Sequence, residues 1–151
     1  MSPEYGIMKT KLSKLIVLLV LTVVLASPAA FAVSLSTFIE GVSQITCKQG
    51  DKIDVTAHLV CENSINGLWN NSVEYEDLHF YLYSLNYGED NKKVFEKTEE
   101  TSFLRGKATV HIDTKNLNPG EYLLKVEFEG DKGIFVNFEP NKIETNFTIN
   151  P

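Results

Sequence analysis

The sequence predicts an all-β sandwich of about seven short strands, and three observations support this prediction. Apolar and polar residues alternate with a period of two in several segments, which is typical of strands that bury one face. Turn-forming sequences separate these segments, among them KQGD at Lys48, NPG at Asn118 and EPN at Glu139. No segment after residue 32 has a helical period. An antiparallel sandwich is therefore favoured.

The first 32 residues have the order of a secretory signal peptide. Lys9, Lys11 and Lys14 precede the apolar run Leu15–Ala26, and small residues ending at Ala32 follow it. The run is shorter than the roughly 18 to 20 apolar residues that span a bilayer. We therefore expect cleavage after Ala32 and export of residues 33–151, with membrane attachment only through an uncleaved leader.

Residues 33–151 are expected to form one domain, because a chain of this length suits a single hydrophobic core. Without Glu4, Lys9, Lys11 and Lys14, the 14 basic and 20 acidic residues fall to 11 and 19, which gives a net charge of −8. Such an acidic surface repels nucleic acid and anionic lipid. Neither is an expected partner.

Five segments alternate most clearly, and each predicts one buried face. Their predicted inward residues are, in chain order, Ile53, Val55, Ala57, Leu59 and Cys61; Leu78, Phe80 and Leu82; Ala108, Val110 and Ile112; Tyr122, Leu124, Val126 and Phe128; and Ile143, Phe147 and Ile149. A first strand over residues 38–47 and a shorter strand over 94–98 complete the set. The irregular segment 61–77 is expected to form the main loop at one end of the sandwich.

A proline and a glycine precede the fourth of these strands. Pro119 sets φ for a turn and Gly120 accepts the conformation that follows, so the chain reverses just before Tyr122. A tyrosine at this position can pack its ring inward while its hydroxyl bonds to nearby backbone. This is the tyrosine corner of Greek-key sandwiches, and it predicts a structural role for the three residues.

The pattern GKATVHIDTKNLNPGEYLLKVEFEGD, followed after a short loop by NFTI, resembles the immunoglobulin-like repeat domains of bacterial and archaeal surface and adhesin-like proteins. QGDKIDVTAHL matches the second strand of such domains, and the resemblance covers roughly residues 46–149. It implies an immunoglobulin-like Greek-key sandwich that binds or adheres at the cell surface. The sequence departs from antibody domains at Leu124, where the disulfide cysteine would stand, and at Val55 or Ala57 on the facing strand.

Two cysteines in an exported chain raise the question of a disulfide. If KQGD is a tight turn and Lys52–Cys61 is one strand, Cys47 and Cys61 lie near opposite ends of that strand, about 30 Å apart. A disulfide needs Cα atoms within about 7 Å. The spacing therefore favours two separate thiols over a bridge.

Metal binding and catalysis are not indicated by the remaining polar residues. His58, His79 and His111 fall on outward strand faces, and His58 and His111 could approach each other on neighbouring strands, but no third ligand has matching spacing. The pair Glu99 and Glu100 is typical of a solvated strand edge, and no nucleophile stands beside a base. We expect no cofactor and no enzymatic activity.

Aromatic residues give the strongest indication of a binding site. Tyr81 and Tyr83 share the outward face of a strand, Tyr87 follows in the next loop, and Trp69 lies in the long loop. Outward aromatics at a period of two can form a flat platform for a sugar or a protein. The alternative is that both tyrosines cover the edge of the core or lie beneath the 61–77 loop.

Two sequons, NNS at Asn70 and NFT at Asn146, are chemically suitable glycosylation acceptors in an exported chain. Together these features predict an extracellular or cell-surface immunoglobulin-like module that acts by non-catalytic binding or adhesion, with a protein or cell-envelope partner. A carbohydrate- or small-ligand-binding module using the aromatic surface is the alternative.

Overall fold

The computed structural model describes residues 32–62, 71–85 and 92–151. Trp69, Asn70, Tyr87 and residues 1–31 of the predicted signal peptide lie outside these ranges. Within them, the strands are β1 (Val33–Leu35), β2 (Thr37–Glu40), β3 (Ile45–Lys48), β4 (Lys52–Cys61), β5 (Asp77–Ser84), β6 (Lys92–Glu100), β7 (Lys107–Asp113), β8 (Gly120–Phe128), β9 (Asp131–Lys132), β10 (Val136–Phe138) and β11 (Asn141–Asn150). A short 3-10 helix spans Thr114–Asn116. Among the described residues there is no apolar helix of membrane-spanning length.

Two sheets enclose one hydrophobic core. The larger sheet has the strand order β3-β11-β8-β5-β6, and the smaller has the order β2-β4-β7. The strands β4 and β7 therefore share one sheet, while β5, β8 and β11 share the other. This division is the one found in immunoglobulin domains. The protein is an all-β, immunoglobulin-like sandwich.

The core consists of the alternating residues that the sequence marks as inward. Every predicted inward residue is buried except Ile53 and Ile143, which are half-buried. Leu82 and Leu124 lie opposite each other in the β5–β8 ladder and are fully buried. Full burial of one such side chain stabilises the fold by about 1.5–3 kcal/mol relative to exposure. The predicted strand faces are confirmed.

The prediction of one continuous first strand over 38–47 is wrong. The strand β2 pairs antiparallel with β4, whereas β3 pairs parallel with β11, so the chain passes from one sheet to the other between them. Gly41 follows β2 with a φ of +80°, a left-handed conformation that glycine adopts at little cost. The first strand therefore covers an edge of both sheets in succession, and the sandwich is not wholly antiparallel.

The segment between β8 and β11 contains more structure than the two predicted turns. The strands β9 and β10 pair antiparallel within it, and β1 pairs parallel with β10. The Val33 N–H also donates to the carbonyl of Phe135, with an N···O distance of 3.0 Å. A small third sheet thus ties the start of the described chain to the loop that precedes β11. Separately, β6 is longer than the predicted strand over 94–98.

One end of the sandwich, which we call the corner end, contains residues 49–51 and 114–119. The Tyr122 hydroxyl donates to the Asn118 carbonyl at 2.6 Å, and its ring meets the Phe147 ring edge to face at a centroid distance of 6.5 Å. Thr114 is fully buried, and its hydroxyl oxygen accepts from the Gly50 N–H at 2.9 Å. These buried polar groups therefore have hydrogen-bond partners within the protein.

The two cysteines are buried in different sheets, and neither is in a disulfide. Cys47 lies on β3, where its Sγ is 3.7 Å from the carbonyl oxygen of Thr148. Burial raises the pKa of the Cys47 thiol, and the nearby Asp51 carboxylate raises it further. Cys61 ends β4 in the smaller sheet, opposite Thr37. The two thiols are therefore separate, as the spacing in the sequence favours.

Candidate functional site

An aromatic row runs along the outer face of the larger sheet. His79, Tyr81 and Tyr83 are half-buried on β5, where they alternate with residues that face the core. The ring centroids of His79 and Tyr81 are 6.3 Å apart, and those of Tyr81 and Tyr83 are 6.2 Å apart. The row therefore combines two of the residues that the sequence assigns to a binding surface.

Two lysines partly cover the central ring of this row. Lys93 Nζ lies 5.3 Å from the Tyr81 ring centroid and Lys125 Nζ lies 5.6 Å from it, which are cation–π distances. Lys93 pairs with Glu96, and Lys125 Nζ is 2.6 Å from a Glu127 oxygen. Burial is the main cause of a raised Tyr81 pKa, and the two glutamates add to it. The Tyr81 phenol therefore lies beside two lysine–glutamate pairs whose charges cancel.

The other residues of the predicted aromatic platform, Trp69 and Tyr87, lie outside the described residues, as does the sequon Asn70. The second sequon, Asn146, is exposed on β11. In the ladders, Asn146 stands opposite Leu123, and Leu123 stands opposite Tyr83. A glycan on Asn146 would therefore start from the same sheet face as the aromatic row. The lysines beside Tyr81 were not predicted, because only strand pairing across the sheet brings them there.

The three histidines bond to separate polar neighbours. The His58 ring bonds to the Ser72 hydroxyl at 2.9 Å, and the His79 ring bonds to the Thr98 hydroxyl at 2.8 Å. His111 pairs with Asp54. His58 and His111 do lie on neighbouring strands, but they are not opposite each other in the ladder. No group of three or more metal-ligating side chains occurs among the described residues.

Three connecting segments meet at the other end of the sandwich, which we call the loop end: 71–76, 101–106 and 129–140. Strand registers bring them together. Asp77 at the start of β5 pairs with Glu100 at the end of β6, and Phe128 at the end of β8 pairs with Asn141 at the start of β11. In variable-type immunoglobulin domains, the binding loops cluster at one end of the sandwich in this manner.

Large apolar side chains are exposed on these loops. The Tyr75 and Phe103 rings stack with centroids 5.8 Å apart, yet both side chains remain more than half exposed. In the hairpin between β9 and β10, Ile134 and Phe135 are 69% and 75% exposed. Val33 on β1, which is paired to this hairpin, is also exposed. Sequence patterns missed these residues because they lie outside the alternating segments, although two adjacent apolar residues after Gly133 in a turn were a usable signal.

An acidic cleft lies between the first and third of these loops. It has a volume of about 280 Å³ and is lined by Tyr75, Glu76, Asp77, His79, Glu100, Phe128, Glu129 and Gly130. Burial raises the pKa of Glu76 to about 6, and the negative charges of Asp131 and Asp77 add to that effect. The cleft is therefore a negatively charged recess directly beside an exposed aromatic pair.

No family model matches the chain, and no curated protein matches it. Among solved structures, the chain is similar to domain 1 of VCBP3 from Branchiostoma floridae, with a TM-score of 0.41 and 8% sequence identity over 77% of this chain and 96% of that one. The immunoglobulin-like fold itself rests on the strand order and registers described above.

Proposed function

We propose that the protein is an exported or cell-surface immunoglobulin-like module that acts by non-catalytic binding to a protein or cell-envelope partner, and that the loop end is its contact surface. The grouping of exposed Tyr75, Phe103, Ile134 and Phe135 at this one end supports the proposal most directly. Large apolar residues gathered on a surface are typical of interaction sites, and aromatic side chains contribute strongly to binding energy.

The chemistry of the loop end suggests what such a partner presents. The exposed Tyr75–Phe103 pair offers aromatic faces, and the adjacent cleft offers the carboxylates of Glu76, Asp77 and Glu129. A surface that combines apolar side chains with a lysine or arginine would fill both features. Arginine suits this position well, because its guanidinium both stacks on aromatic rings and pairs with carboxylates.

A binding assay with matched variants tests this proposal. Cell envelopes from the organism that makes the protein are titrated with the exported chain, with Phe135→Ser and with Tyr75→Ser. We expect about a tenfold loss of affinity for each variant, as for residues that anchor an interface. Leu85→Ser is the matched control, because Leu85 is an exposed apolar residue that follows the end of β5, at the opposite end of the sandwich from the loop end. Equal affinities for all four proteins would contradict the proposal.

A carbohydrate-binding role is the second candidate, and the aromatic row favours it. The Tyr81 ring with its two lysines and the adjacent Tyr83 ring could stack on a sugar while the charged groups bond to hydroxyls. On a glycan array, sugar binding that disappears in Tyr81→Ala and persists in Phe135→Ser would assign the function to this row. Binding lost only in Phe135→Ser would assign it to the loop end.

A further inference from the structure

The outer edge of β7 is open along the middle of the strand. The even-numbered residues of β7 bond to β4, and the same alternation continues past the strand, where the Thr114 N–H donates to the Asp51 carbonyl at 3.0 Å. In an antiparallel ladder, bonded and non-bonded pairs alternate. The main-chain groups of Thr109 and His111 are therefore directed away from β4, and no described strand pairs with β7 on that side.

The other sheet edges are protected against pairing with another chain. Six of the nine residues of β6 are charged, and its pairing with β5 shifts register between Leu82 and Tyr83. The strands β2 and β3 are only four residues long. Charges, irregular pairing and short length are the usual means of protecting an edge. Among the seven residues of β7, Lys107 and Asp113 are the lysine and the acidic residue, and they stand at the two ends of the strand.

We infer that β7 pairs with β7 of a second copy of this chain, antiparallel, about a two-fold axis at Val110. The alternation of main-chain groups requires odd-numbered residues to face odd-numbered residues. With Val110 at the centre, Thr109 faces His111 of the second copy twice, which allows four main-chain hydrogen bonds. The same register places Lys107 opposite Asp113 of the second copy at both ends of the pair.

Neighbouring registers lack this complementarity. Centring the pair on Thr109 places Lys107 opposite His111 of the second copy, and centring it on His111 places the two His111 side chains against each other. Only the Val110 register pairs the opposite charges of Lys107 and Asp113 within both strands. Opposite charges directly across an antiparallel pair stabilise it, and like charges destabilise it.

The resulting dimer is weak and depends on salt. Ala108, Val110 and Ile112 are already buried within each copy, so pairing removes little further apolar surface from water. The Lys107 carbonyl already accepts the Ser102 N–H at 2.9 Å, which limits new main-chain bonds to the middle of the strand. Exposed ion pairs contribute modestly and are screened by salt. Association is therefore expected at high protein concentration and low ionic strength.

Charge reversal tests the register. The full chain is produced in an exporting host, and its mass is followed by sedimentation velocity from about 1 μM to about 1 mM, which spans weak association. Lys107→Glu and Asp113→Lys, each alone, place like charges across both ends and should weaken dimerisation about tenfold or more. Mixed in equal amounts, the two variants should restore it, because each then meets the opposite charge on the other.

Controls separate the register from effects on folding. Lys97→Glu makes the same charge change on β6 and should leave dimerisation as in the parent. Because the Asp113 side chain also accepts from the Lys115 N–H, thermal unfolding of each variant is recorded first. Thr109→Lys, which puts a charge at the middle of the edge, gives a second test that leaves Asp113 intact. The inference would be overturned by a parent that stays monomeric over the whole range, or by parent-like dimerisation of folded Lys107→Glu, Asp113→Lys or Thr109→Lys. It would also be overturned by an equal mixture of folded Lys107→Glu and Asp113→Lys that stays monomeric.

Discussion

The two ends of the sandwich differ in the surroundings of their polar and apolar side chains. At the corner end, buried polar groups such as the Thr114 and Tyr122 hydroxyls find partners inside the fold. At the loop end, large apolar groups such as Phe135 face solvent, and carboxylates such as Glu76 crowd one another. The corner end therefore contributes to stability, whereas the loop end leaves large apolar side chains exposed to solvent. Substitutions at the two ends should therefore have separable effects on unfolding and on binding.

The largest effect is expected from Tyr122 at the corner end. Tyr122→Ala removes a buried ring and a hydrogen bond and should lower the free energy of unfolding by roughly 3–5 kcal/mol. Tyr122→Phe keeps the ring but removes the hydroxyl that bonds to the Asn118 carbonyl, and it should cost about 0.5–1.5 kcal/mol. Urea unfolding of both variants beside the parent measures the two values. A parent-like midpoint for Tyr122→Ala would show that this end does not carry the stability assigned to it.

The features of the corner end could be predicted because they are local in sequence. Pro119 and Gly120 come directly before Tyr122, and the hydroxyl bonds to a carbonyl only four residues away. The faces of the long strands follow from alternation, which is also local. The fold class can therefore be predicted from such local patterns without knowing which strands pair.

The features of the loop end depend on pairing between distant segments and could not be predicted in this way. Phe135 is held in place partly because β10 pairs with β1, about 100 residues earlier in the chain. Lys125 reaches the Tyr81 ring only because β8 lies beside β5. Likewise, the predicted first strand breaks after Glu40 because β2 pairs with β4 in one sheet and β3 pairs with β11 in the other. Long-range registers such as these leave no periodic signal in the sequence.

The acidic cleft should give a smaller, pH-dependent effect. The Glu76 pKa rises from its ordinary value of 4.5 to about 6 in the folded protein, mainly through burial. Between these values the folded chain holds a proton that the unfolded chain has released, so this group's contribution to stability falls as pH rises from about 4.5 to about 6. The stability of Glu76→Gln relative to that of the parent should therefore rise across that window and stay nearly constant above it. Urea midpoints at half-unit pH steps measure the difference.

Asp131→Asn sharpens this prediction, because it removes one of the negative charges that raise the Glu76 pKa. The upper end of the pH window in which parent and Glu76→Gln diverge should then move to lower pH when both carry Asp131→Asn. The cleft also contains His79, Asp77, Glu100 and Glu129, so differences between paired variants are more informative than either curve alone. A difference that is independent of pH would mean that Glu76 is as well solvated as an ordinary surface glutamate.

The smallest effect on stability is expected from the hairpin between β9 and β10. Phe135 is 75% exposed, so replacing it with serine removes few buried contacts, and a change in unfolding free energy within about 0.5 kcal/mol is expected. Phe38→Ser, at an exposed position on β2, should behave alike. The same urea unfolding measurement made for Tyr122 decides the matter. A loss of more than about 1 kcal/mol for Phe135→Ser alone would show that the ring packs against the protein, and the hairpin would then belong with the corner end as a stabilising element rather than a contact surface.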